Sequence, residues 1–244
     1  MVLAAGRGER MRPLTDHCPK PLLPVRGKPL MLWTLEALAR GGARRLLINT
    51  GWLGEQIPAY FGQNPASNGA SVLLNSEHMA LDFSHEARDF GHALETAGGI
   101  ARALPRLADV FWVAAGDVYA PQFSFGHDAA ARFAASGRLA HLWLVPNPPH
   151  HPRGDFGLAP DGRALNEAGP DGRTYTFSTL ALYRRALFEP PWCPIVPGNP
   201  QGTVAPMAPL LRRAIAAGEV SAELFHGAWT DVGTPERLAR LEGP

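Results

Sequence analysis

The chain opens Met1-Val2-Leu3-Ala4-Ala5-Gly6-Arg7-Gly8-Glu9-Arg10-Met11. Five apolar residues break at a glycine, as a buried strand does where it enters a loop. The loop runs over residues 6–22, is rich in Gly, Pro, Arg and Thr, and closes on Pro19-Lys20-Pro21-Leu22. It is not a dinucleotide fingerprint, because Met11 stands where GxGxxG needs its third glycine. It is not a Walker A loop either, since no Lys-Ser or Lys-Thr follows a glycine at the required spacing. Two glycines behind a buried strand still bring backbone amides close to an anion. Arg10 and Lys20 add mobile positive charge, a combination suited to a triphosphate that must lose pyrophosphate.

Outward from this loop, strands and helices alternate. Pro29–Arg40 carries Leu30, Trp33, Leu35 and Leu38 at roughly helical spacing and stops at Gly41-Gly42. Strands are expected at Arg45–Thr50, Ala70–Leu74, Val110–Ala115 and Leu139–Val145. Helices are expected from Gly54 to Phe61, from Gly98-Gly99 through Leu107, and over Asp128–Ala135. Residues 75–95 show no clean period and read as a long polar loop with a short helix. The alternation over 1–145 predicts an α/β fold with a mainly parallel sheet flanked by helices. Ligands then sit at the carboxyl ends of strands, where both the Gly6 loop and Asp117 lie. Pro146, Pro148, Pro149 and Pro152 break the pattern. Residues 146–244 read as a smaller β-rich substrate part, continuous with the first half, with strand-like runs at Phe156–Ala159, Ala164–Asn166 and Tyr175–Tyr183. Helices follow at Ala205–Ala217 and Pro235–Leu241.

The 244 residues carry a formal net charge of +1, so no global field speaks for nucleic acid. The charge is uneven. Residues 1–28 hold Arg7, Arg10, Arg12, Lys20, Arg26 and Lys28 against Glu9 and Asp16, a local +4 on a body of −3. Lys20 and Lys28 are the only lysines among 23 basic residues. No apolar run reaches the ~18 residues of a membrane span, and Met1–Ala5 is too short for a signal peptide. Cys18 and Cys193 form neither a CxxC pair nor a zinc pattern, which reads as a reduced, cytoplasmic protein. A monomer or small homo-oligomer is expected. His150-His151 lacks further ligands at zinc spacing and reads as a loop feature.

The motif LAAGxGxRM, followed by Pro19-Lys20-Pro21-Leu22 and Gly27-Lys28-Pro29-Leu30, resembles the signature of the sugar-1-phosphate nucleotidyltransferases. Gly116-Asp117, Ala97-Gly98-Gly99 and Trp229-Thr230-Asp231-Val232-Gly233-Thr234-Pro235 fit in order, so the resemblance spans nearly the whole chain. Leu94-Glu95-Thr96 and His150-His151-Pro152-Arg153-Gly154-Asp155-Phe156 are similar to the subgroup that uridylylates N-acetylmuramate 1-phosphate in peptidoglycan recycling.

The resemblance implies a Rossmann-like nucleotide-diphospho-sugar transferase fold. It implies UTP and a sugar 1-phosphate as substrates, Mg²⁺ held by Asp117 and Asp231, Arg10 on the leaving pyrophosphate and Lys20 on the reacting phosphates. It places the nucleotide on Leu3, Ala5, Gly6 and Gly8, with Gly98 closing over the ring and Glu77 touching the uracil. Gly154, Asp155 and Glu167 would face the sugar. The Glu-Lys pair of related enzymes is Glu167-Ala168 here, which leaves Arg153 or Arg173 as replacements for the phosphate-binding lysine. The extended segment from Glu77 to Leu94 suggests a mobile lid over the nucleotide. A lone Gly-Asp reads more readily as a helix or turn cap; the pairing with Asp231 in the family context reverses this for Asp117. Lys28 reads as a turn residue before the helix. Rival readings are a thymidylyl-, guanylyl- or cytidylyltransferase for a hexose or choline phosphate, and a non-catalytic binding subunit.

Overall fold

A computed structural model describes residues 1–62, 69–74 and 77–242. Eight segments form one sheet: β1 (Val2–Ala4), β2 (Arg45–Thr50), β3 (Gly69–Leu74), β4 (Glu77–His85), β5 (Val110–Ala115), β6 (Ala140–Val145), β7 (Thr176–Arg184) and β8 (Val220–Leu224). Their spatial order is β8-β6-β7-β5-β1-β2-β4-β3. Six run parallel, while β7 and the edge strand β3 run against their neighbours. The parallel strands are apolar because both faces are covered. Val2 and Ala4 point into one layer, with Met31, Leu35 and Leu38 of α1 (Leu30–Arg40) and Phe133 of α5 (His127–Ser136). Leu3 points to the other, which holds Ile100 of α4 (Glu95–Ala103) and Leu210, Leu211 and Ile215 of α6 (Met207–Ala216). Each such buried Leu or Ile contributes about 1.5–3 kcal/mol over its exposed state. The remaining helices are α2 (Gln56–Tyr60), α3 (Glu86–Phe90) and α7 (Pro235–Glu242).

The chain winds from β1 through β2 toward β3 and β4, then returns to place β5 on the opposite side of β1. The sheet therefore reverses its winding between β1 and β5, and a crevice opens at their carboxyl ends. Gly51, just past β2, lets the chain approach the start of the β1 loop. A Cβ there would meet the Ala5 carbonyl oxygen at 2.1 Å.

Two expectations are corrected. Residues 77–85 are a nine-residue strand and not a polar loop or lid. Met79, Leu81 and Phe83 alternate along it and are buried at 1% exposure or less, so β4 is part of the packed sheet between β2 and β3. The polar residues between them hid this period of two. Beyond residue 145, β7 does not stay in a smaller β part. It inserts between β6 and β5 in the main sheet, while Gly157–Leu158 and Ala164–Leu165 form a separate two-stranded pair.

Candidate active site

A cavity of about 510 Å³ opens at the crevice. Of the residues singled out from sequence, Leu3, Ala5, Gly6, Gly8, Arg10, Lys20 and Asp117 line it. The loop after β1 is held from below. Met11, fully buried, packs with Leu23, Val25, Leu30, Tyr119 and Val232. Buried Thr15 donates from Oγ1 to the Gly8 carbonyl at 2.9 Å. Arg7 is spent on this bracing: it donates to the Thr15 carbonyl at 3.0 Å, pairs with Asp16 at 3.1 Å and lies over the Trp52 ring at 3.7 Å. Arg10, among the described residues, makes no hydrogen bond or ion pair, so its fork is available to an anion.

Lys20 and Asp117 come from segments 97 residues apart and meet with Nζ 2.5 Å from Oδ2. Asp117 follows β5, where the Gly116 amide donates to the Leu3 carbonyl at 2.8 Å and fixes the turn beside the β1 loop. Asp231 lies on a short strand, Thr230–Asp231, paired antiparallel with Val118–Tyr119. The Val232 amide donates to the Asp117 carbonyl at 3.0 Å, so the two aspartates are backbone neighbours across this pair. Asp231 does not line the main cavity, although Gly233 does; it borders a smaller hollow of about 170 Å³ with His150, Trp229 and Arg237.

Arg237 donates through Nη1 to Asp231 Oδ2 and, at 2.7 Å, to His150 Nε2. His150 Nε2 also stands 2.9 Å from Asp231 Oδ1, a buried oxygen that accepts no hydrogen bond. In the tautomer that accepts from Arg237, Nε2 leaves Asp231 Oδ1 a buried acceptor without a donor. Among the described residues there is no cluster of three or more His, Cys, Asp or Glu suited to a metal. The donor set is therefore two carboxylates at most, which suits a cation that takes its other ligands from phosphate and water.

On the far side of the crevice, Glu86 begins α3 with no exposed surface and lines the cavity with Asn49. It accepts from Asn49 Nδ2 and from the Leu94 amide, each at 2.7 Å, and Asn49 Oδ1 accepts from the Ala4 amide at 2.9 Å. Burial pushes the Glu86 carboxyl above its ordinary range, while these two donors oppose the shift. Glu95 and Thr96 complete this rim, while Thr179 lines the cavity from β7, on the β5 side. The sequence reading missed Asn49, Glu86 and Thr179. The alternation of Met79, Leu81 and Phe83 would have ended a strand at His85 and put Glu86 at its carboxyl end, where ligands bind.

The other sequence-selected residues lie elsewhere. Glu77 begins β4, at the end of the sheet opposite the cavity, with its carboxylate 3.1 Å from Arg44. The expectation that it touches the base is overturned by that placement. Gly98 is buried inside α4 and donates to the Ala205 carbonyl at 3.1 Å, so it packs α4 and does not close over a ring. A Cβ there would meet the Thr203 carbonyl oxygen at 2.5 Å. Gly154 takes a φ of +57° against Asn147 and Tyr175. Asp155 accepts from the Phe177 amide at 2.8 Å and lies 3.2 Å from His151 Nε2, so it ties its loop to β7. Glu167 is exposed. None of these lines the cavity. Lys28 lies just before α1, pairs with Glu36 and covers the Trp33 ring at 3.7 Å.

Residues 1–165 match the family model described as nucleotidyl transferase. The chain is 43% identical over 248 residues to the N-acetylmuramate alpha-1-phosphate uridylyltransferase of Neisseria meningitidis serogroup B, covering 99% of this chain and 96% of that one. It is 28% identical to the protein of the same name from Caulobacter vibrioides, covering 99% and 94%. A putative glucose-1-phosphate thymidylyltransferase from Bacillus anthracis, solved in complex with a sucrose, superposes with a TM-score of 0.76 over 99% of this chain and 92% of that one. At 18% identity it shows a shared fold.

Proposed function

The chain belongs to the nucleotidyl transferase family, and from that premise we propose that it joins UTP to a sugar 1-phosphate, releasing pyrophosphate. The sugar 1-phosphate favoured by the full-length similarity is N-acetylmuramate 1-phosphate, which places the reaction in peptidoglycan recycling. The observation that carries the reading is the meeting of Arg10, Lys20 and Asp117 in one cavity at the point where the sheet reverses, with Asp231 one backbone hydrogen bond away.

In the proposed reaction a sugar-phosphate oxygen attacks the α-phosphorus of UTP. The bond from that phosphorus to the bridging oxygen breaks, and pyrophosphate leaves with the electron pair. Two polyanions must be brought together, so positioning and charge compensation supply most of the rate. The amides after Ala5 receive the triphosphate. Arg10, unpaired and planar, takes the leaving pyrophosphate. Lys20 swings from Asp117 toward the α-phosphate as a compact charge. Asp117 and Asp231 are the residues to hold Mg²⁺, which supplies charge neutralisation at the phosphates when bound. Glu86, and not Glu77, is the carboxylate placed to meet a base bedded against Ala5 and Asn49. The half before residue 146 then serves the nucleotide, and residues 146–244 serve the sugar.

No helix among the described residues is long and apolar enough to cross a membrane. Cys18 and Cys193 are free thiols, in keeping with a reducing cytoplasm. No nucleic acid is needed, and a monomer or small homo-oligomer suffices. The test is a turnover panel of UTP, dTTP, GTP and CTP against N-acetylmuramate, N-acetylglucosamine and glucose 1-phosphates. UTP with N-acetylmuramate 1-phosphate is expected to give the highest kcat/KM. A preference for dTTP with glucose 1-phosphate overturns the reading.

A further inference from the structure

Among the described residues, five that are not glycine take a left-handed backbone: Arg26, Leu53, Glu95, Thr179 and Asn199. Arg26 precedes Gly27 in a hairpin turn, and Asn tolerates this region. Thr179 has no such excuse. It is β-branched, holds φ at +62°, and lies inside a central strand. Strain of this kind persists where the surroundings over-determine it, and it gathers at functional sites.

The surroundings of Thr179 are visible. The register of β7 on β6 jumps from Phe177 opposite Leu144 to Ala181 opposite Leu142, so two extra residues bulge out. Ser178 patches the ladder, donating to the Trp143 carbonyl at 2.6 Å and accepting from the Leu180 amide at 3.2 Å. Trp229 Nε1 donates to the Ser178 carbonyl at 3.1 Å, which ties the bulge to the strand bearing Asp231. The bulge aims Thr179 into the cavity shared by Arg10, Lys20 and Asp117. Its neighbour Leu180 pairs with Ala114 of β5, so Thr179 lies at the β5 end of the crevice, away from Asn49 and Glu86.

We propose that Thr179 is a specificity-determining residue for the sugar 1-phosphate, recognising an N-acyl group on the ring. This rests on the functional reading above. Oγ1 donates its proton to the Ser178 carbonyl at 2.5 Å, so toward the cavity it is an acceptor. An amide N–H from the ligand meets that lone pair, and the acyl methyl packs on Cγ2. Glucose 1-phosphate offers no such pair of groups.

The test compares wild type, Thr179→Gly and Thr179→Ser with UTP and either N-acetylglucosamine 1-phosphate, N-acetylmuramate 1-phosphate or glucose 1-phosphate, alongside thermal melts. Glycine relieves the backbone and removes the contact. Thr179→Gly is therefore expected to raise Tm by about 2–4 °C while cutting the preference for N-acetylated over plain sugar about 10-fold. The KM for UTP stays unchanged, and Thr179→Ser recovers part of the preference. An unchanged preference in an active Thr179→Gly variant, or a lower Tm, overturns this assignment alone. A wild type that turns over none of the three with UTP overturns the functional reading and this assignment together.

Discussion

The two ends of the cavity are built in different ways. The end proposed for the triphosphate is a contiguous loop, with Met11, Thr15 and the Arg7–Trp52 stack holding Gly6–Arg10. The end proposed for the sugar is assembled from distant strands, through a bulge at Ser178-Thr179, the Trp229 hydrogen bond and the pairing of Asp231 with Val118. A phosphate cradle needs only a short run of glycines and cations, so it is compact in sequence. The wall at the end proposed for the sugar comes from a register slip and leaves little trace in residue order.

Substitutions can break this contrast, starting at the nucleotide end. Lys20→Ala and Asp117→Ala should fold and each lose about 10²-fold or more in kcat, the scale for removing a donor or carboxylate aimed at the reacting group. Steady-state pyrophosphate release measures it, and near-wild-type rates would remove both from the site. At the junction of the two ends, Arg237→Ala leaves Asp231 Oδ2 without its guanidinium. The Mn²⁺ concentration at half-binding, read by isothermal titration, should rise about 10-fold, as for other partners that orient metal ligands. An unchanged affinity would mean that Asp231 does not hold the ion.

Glu86 gives a pH signature. Its carboxyl is raised by burial, so the folded chain binds this proton more readily than the unfolded one. The resulting stability is fully present below the ordinary carboxylate range and is lost as pH climbs through the folded value. Thermal melts of Glu86→Gln across this range should lack that component of the slope. A slope identical to wild type would show that Glu86 is not the group responsible. The smallest effect belongs to Lys28, whose contacts with Glu36 and Trp33 lie away from the cavity. Lys28→Ala should cost roughly 1 kcal/mol or less and leave both KM values unchanged; a changed KM would place Lys28 in the site.

The same contrast governs what the residue order reveals. The β1 strand, its glycine loop, Lys20 and Asp117 are legible because an apolar run, a glycine and a charge follow one another directly. Val110–Ala115 is legible for the same reason. Strand β4 is not, because the polar His78, Asp82 and Ser84 around Met79, Leu81 and Phe83 hide its period of two. Gly98 sits beside a recognisable helix start, yet its small size serves the close approach of the Thr203 carbonyl. Thr179 is invisible in sequence because its placement depends on a backbone angle, and Asn49 because its hydrogen-bond partners, Ala4 and Glu86, are 45 and 37 residues away.

The central claim is that the two ends meet around a transferable uridylyl group, and one assay addresses it directly. Pyrophosphate release from UTP and N-acetylmuramate 1-phosphate should require both substrates and Mg²⁺, stop with EDTA, and yield the UDP-sugar in equal amount. Release that proceeds with UTP alone, or no release with Mg²⁺ and both substrates present, would contradict it.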